Sequence, residues 1–71
     1  MPRYFFHVRR GQITILDHEG IELADTMDAE VEAAERAQQL VNGESLNRKS
    51  ASRGRIIVAD DKWETLFELP F

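Results

Sequence analysis

Two histidines, thirteen carboxylates and a late cluster of bases are the groups of this 71-residue chain with chemistry to offer. His7, Asp17, His18 and Glu19 supply nitrogen and oxygen ligands of the kind that hold a metal. The histidines fall in separate segments, however, and no His-x-x-x-His pair exists. The stretch "DHEGIE" (17–22) lacks the alternating Asp/Asn positions and closing Glu of a calcium loop. Without cysteine there are neither thiolate zinc sites nor disulfides. No metal and no cofactor are expected. Ser45, Ser50 and Ser52 stand far in sequence from either histidine, and no glycine-framed turn surrounds them. Four scattered glycines do not make a phosphate loop. So short a domain has little interior from which to build a concave site. The chain is not expected to be an enzyme.

Charge is unevenly distributed. The net charge is −4, yet residues 17–35 hold eight acids and no Lys or Arg. Arg48, Lys49, Arg53 and Arg55 then fall within eight residues. A split of this kind ordinarily marks two solvated faces. Bases neutralise phosphates wherever they sit, so a weak nucleic-acid binder using segment 48–55 is the alternative function. The acidic total weighs against it. No apolar run approaches the ~20 residues that span a bilayer, and "YFFHV" is too short and too quickly followed by charge for a signal peptide. A cytoplasmic protein with no membrane partner is expected.

The elements that must position these groups follow from periodicity. Residues 2–9 alternate as a strand, with Tyr4, Phe6 and Val8 on one face and Arg3, Phe5, His7 and Arg9 on the other. Arg10-Gly11 supplies a tight turn, and "QITIL" (12–16) returns as the second strand of a hairpin. "DHEG" is turn chemistry; "IEL" (21–23) either continues the strand after a bulge or leads into a helix. Asp25 or Thr26 caps that helix, and Gly43 stops it. Its apolar stripe reads as Met27, Val31, Ala34 and Val41, flanked by Ala33, Ala37 and Leu40. Small residues on the inner face let the helix lie close to the sheet, whose aromatics fill the gap. Segment 44–54 is polar and basic, and reads as a mobile loop. Residues 55–59 form a strand, 60–62 a turn, and 63–69 the last strand, which Pro70 ends. The expected fold is a single small α+β domain over residues 1–71. Its order is ββαββ: a four-stranded, mainly antiparallel sheet with one helix packed on one face. Strand order stays open.

If Tyr4, Phe6, Val8, Phe67 and Leu69 point at the helix, then Phe5, Leu66 and one of Ile56 or Ile57 point away. Several large apolar groups on an open face make a contact surface. Phe5, His7 and Leu66 are therefore the candidate protein-interaction residues. The expected partner is a second copy, or another protein. The expected function is a non-enzymatic, regulatory interaction module.

The segments "MPRYFFHVR", "DHEGIELAD" and "IIVAD", with a terminal "LPF", resemble a family of short bacterial proteins of unknown function. Members begin MPRYFFH, carry a D-x-E-G-x-E-L-x-D segment before the helix and end in a V-P-F-like tail. The resemblance covers nearly the whole chain and implies one small bacterial domain, with no activity attached. Arg10-Gly11 stands where members have Asp-Gly. "DDKWE" (60–64) replaces an Asp-Glu-x-Gly type of turn, so no residue there takes positive φ cheaply.

Overall fold

The computed structural model describes residues 2–44 and 54–71. The basic loop expected at 44–54, with Arg48, Lys49 and Arg53, lies outside them apart from its two end residues. Glu44 closes the helix and Gly54 opens a strand. Strand β1 (Arg3–Arg10) turns at Gly11, whose φ of 58° supplies the left-handed step of a two-residue hairpin loop. Strand β2 (Ile13–Ile15) pairs back on its C-terminal half, with Val8 opposite Ile15. The chain leaves the sheet over residues 16–20 and rejoins it as β3 (Ile21–Glu22), pairing with the start of β1. The "IEL" segment thus does both things its sequence allowed: it resumes the edge, then runs into the helix.

Helix α1 (Thr26–Glu44) is capped by Asp25, whose Oδ1 accepts from the Asp28 N–H at 3.0 Å. It runs through Gly43 rather than stopping there. Strand β4 (Gly54–Ala59) then lies antiparallel to β1, and β5 (Thr65–Pro70) lies outside β4. The order β2-β1-β4-β5, with β3 in line with β2, settles which strand the third long segment joins. The fold is α+β: an antiparallel sheet with one helix on one face. Pro70 does not end the pairing. It stands opposite Arg55, and Phe71 exchanges backbone bonds with Gly54 at 2.8 and 3.2 Å. Among the described residues β5 is an edge strand, so the missing N–H of Pro70 falls on the side where no strand pairs.

The core lies between α1 and the sheet: Tyr4, Phe6, Ile56 and Val58 meet Ala29, Ala33 and Ala37. This corrects the phase of the helical stripe. Met27, Val31, Ala34 and Val41 face outward, Met27 with 70 % of its surface exposed. The inward row is 29, 33, 37 and 40, spaced like any helix face. The sheet decides between the two rows. Two aromatic rings and two branched side chains already fill the interface, and at 29, 33 and 37 only methyl groups fit beneath the helix; the larger Leu40 packs at the margin.

Candidate functional site

Trp63 covers the other face of the sheet. The hairpin between β4 and β5 is a turn closed by Trp63 N–H donating to the Asp60 carbonyl at 2.9 Å. The Asp60 N–H donates to the Glu64 carbonyl at 3.0 Å, and Asp60 Oδ1 accepts from the Lys62 and Glu64 N–H groups at 2.9 Å each. This three-residue loop requires its last residue in the left-handed region. Trp63 takes that conformation, at φ 64°. A non-glycine residue there costs about 1–2 kcal/mol. What offsets the cost is the indole, which swings back across β1. Its ring stacks on Phe5 at 5.0 Å between centroids and on His7 at 5.2 Å, nearly parallel to both.

Phe5 and His7 are consequently buried, at 8 % and 6 % exposure. The expectation of an open apolar face around them is corrected here. Both point away from the helix, as their alternation requires, but a residue expected to continue the last strand folds over them. Leu66, the third candidate, is the extra residue of an irregularity in β5 and stays 42 % exposed. Only it retains the accessibility that contact with a partner demands.

The loop at 16–20 supplies the rest of this cluster, and Asp17 organises it. Between the Val8–Ile15 and Tyr4–Ile21 pairs, the edge strand is interrupted, and the Phe6 N–H meets no strand carbonyl. Asp17 Oδ2 accepts it at 3.0 Å, while Oδ1 accepts from the Glu19 and Gly20 N–H groups at 3.1 Å each. In return the Asp17 N–H donates to His7 Nδ1 at 3.0 Å. Partial burial pushes the Asp17 carboxyl pKa up. The backbone donors Phe6, Gly20 and Glu19, with the charge of Arg36, outweigh that and hold it below its ordinary value. His7 is shifted down, first by desolvation, with Asp17 opposing and His18 adding to the shift. A neutral imidazole with Nδ1 accepting leaves its proton on Nε2. Gly20 closes the loop against β1 at φ 71°, where an added Cβ would stand 2.8 Å from Arg3 Cγ and 2.9 Å from Phe5 Cε2.

His18, exposed, tilts toward Trp63 at 6.4 Å between centroids. His7, Asp17 and His18 are thus brought together, yet among the described residues no group of three His, Cys, Asp or Glu is placed to hold a metal ion. Arg55 lies exposed on the outer face of β4, with Nη1 donating to Glu68 Oε1 at 2.9 Å. It stands directly opposite Arg9, which is also exposed.

A different surface emerges at the sheet's edge. Ile13, Ile15 and Leu16 are 67, 63 and 50 % exposed. Ile15 opposite Val8 and Ile13 opposite Arg10 place both isoleucines on the helix side of the sheet, beyond the cover of α1. Among the described residues, β2 has β1 on one side and no strand on the other. The alternation of "QITIL" was the signal for this strand, but alternation does not say which strand becomes an edge. Among the described residues no helix is long and apolar enough to cross a membrane.

A protein-family model for a domain of unknown function (DUF6894) matches residues 3–71. No curated protein and no solved structure gives a significant match.

Proposed function

We propose that this chain, which belongs to the DUF6894 family of domains of unknown function, acts as a non-catalytic interaction module that joins copies of itself along β2. The observation that carries the reading is the edge: three uncharged residues, open on one side among the described residues, with Ile13 and Ile15 exposed on the helix side. Natural edges are usually blunted by charge, proline or a covering element; segment 12–16 has neither charge nor proline, and among the described residues no strand pairs with its outer side. Antiparallel pairing of β2 with the β2 of a second copy continues the sheet across a two-fold axis. It also brings the isoleucines of both copies together, and burying one such side chain fully contributes ~1.5–3 kcal/mol. The non-catalytic part of the reading is supported by His7 Nδ1 and both carboxylate oxygens of Asp17, which are engaged with backbone groups. A cytoplasmic setting suits the cysteine-free chain.

Light scattering at tens of micromolar tests it. The expected mass is that of two chains, falling to one in Ile15→Lys and in Thr14→Pro. Thr14 sits one residue inside the pair flanking the hairpin loop, so its N–H points to the free edge and proline there spares the pairing with β1. A one-chain mass for the unaltered protein defeats the proposal.

A second reading is favoured by one observation. Arg9 and Arg55 are like charges set directly across from one another, on the same sheet face as the half-exposed indole of Trp63. Like-charged neighbours repel unless an anion lies between them; the Glu68 carboxylate already answers Arg55, which leaves Arg9 as the base a phosphate would meet. A cationic strip beside an aromatic ring suits a single-stranded nucleic acid. Retention on immobilised oligonucleotide that weakens with salt and is lost in Arg9→Glu supports this reading; no retention at low salt removes it.

A further inference from the structure

We propose that the outward face of α1 is a docking seam for a basic amphipathic helix of another protein. Residues 27, 31, 34, 38 and 41 recur at intervals of four and three, the spacing at which one helix meets another side by side. Met, Val, Ala and Val occupy four of these positions, and Gln38 is the polar fifth. Met27, Val31 and Val41 are 70, 56 and 44 % exposed, and Ala34 is exposed with them. The seam is ~21 Å long at 1.5 Å per residue, enough for four turns of a partner. The core does not need these side chains, because the alanine row beneath already fills it.

Charge identifies the occupant. Asp28, Glu30 and Glu35 border the seam, at the positions that face a partner's flanks. Over residues 26–41 the single base is Arg36. It is turned toward the sheet, its Nε bonded to Glu32 Oε2 at 2.7 Å and its guanidinium 4.6 Å from the Phe6 ring centroid. An apolar stripe with negative borders selects against three other occupants. A second copy of α1 would set acid against acid, and phosphates of a nucleic acid or an anionic bilayer would meet the same repulsion. A helix with apolar residues along one side and Lys or Arg flanking them satisfies both the stripe and its borders. Self-pairing along β2 leaves this face outward, so the two surfaces work independently.

The probe is a synthetic peptide of three heptads with Leu along its seam and Lys or Arg on both flanks. Its twin carries the same seam with Glu flanks. Each is titrated into the full isotope-labelled chain and followed by amide shifts. The basic peptide should bind and move amides along 26–41, leaving the outer sheet face unmoved. The acidic twin should bind at least about tenfold more weakly, since each of three flanking pairs changes from attraction to repulsion. Val31→Glu and Met27→Glu should each weaken the basic peptide at least about tenfold. Both sites are exposed, and an unchanged melting curve verifies that the variants fold. Tighter binding by Val31→Glu means that bulk charge alone attracts the peptide, and overturns the proposal. So do equal binding of the twins, no binding of the basic peptide, or shifts centred elsewhere.

Discussion

The two faces of the sheet are covered by opposite means. On one side a helix of several turns lays a row of alanines over Tyr4, Phe6, Ile56 and Val58. On the other, one indole held in a left-handed conformation shields Phe5 and His7. The first cover is distributed over many small contacts and tolerates no added volume. The second is concentrated in a single residue and in the loop that Asp17 ties down. Close packing across an element and stacking by one ring reach similar burial, but they fail differently.

Substitutions separate them, beginning with the helix-covered face. Ala33→Leu places three extra carbons where there is no accessible space and should cost about 3 kcal/mol in denaturant unfolding. Val31→Ala, two residues away but outward, should stay within about 0.5 kcal/mol. If the two substitutions cost the same, the inward row has been misplaced. On the other face, Asp17→Asn turns an acceptor into a donor opposite backbone N–H groups. It should cost about 2.5 kcal/mol, most of it the penalty of an unsatisfied Phe6 N–H. Trp63→Ala should cost about 2 kcal/mol, because it removes the stacking while keeping the unfavourable φ. Trp63→Gly, which relieves the φ, should recover about 1 kcal/mol of that. Equal losses in the two Trp63 variants would mean that the left-handed turn stores no strain.

Acid probes the outer face alone in its first step, and the effect is the smallest of the set. His7 titrates below its ordinary 6.5 in the fold, so below that pH the unfolded chain binds more protons and stability falls. Asp17 is depressed below 3.8, so its contribution persists above that value and disappears only as pH falls through the lower, folded pKa. Unfolding midpoints followed by circular dichroism should therefore show two separate declines. His7→Asn, whose Oδ1 replaces Nδ1 as acceptor, should abolish the upper one. An upper decline that survives in this variant assigns it to another group.

Much of this arrangement was readable in the sequence. Alternation in "RYFFHVR" assigned each side chain of β1 to its face, Gly11 marked the hairpin, and Asp25 was one of two caps proposed for the helix. What alternation could not give was phase against a partner. Met27, Val31 and Val41 are larger than the alanines that replace them in the core, and size argued for burying them. The bulk already contributed by the sheet excludes them, a fact that exists only once helix and sheet meet. Phe5 and His7 were correctly aimed but wrongly left bare. Their cover depends on Trp63 adopting a conformation that its own chemistry disfavours and that only stacking makes tolerable. The loop was legible as turn chemistry, but Asp17's role was not. A carboxylate that completes a broken strand edge looks, in sequence, like any aspartate in a turn.

The stacking of Trp63 on His7 has a spectroscopic consequence. The chain contains one tryptophan, so all indole emission comes from a ring lying flat against an imidazole. A protonated imidazole in van der Waals contact quenches indole emission far more than a neutral one does. Brightness at neutral pH, dimming as His7 gains its proton, and a red shift when the ring lifts away are three distinguishable signals. The residue that closes the outer face is thus its own optical reporter, and opening of that face can be timed without attaching a label.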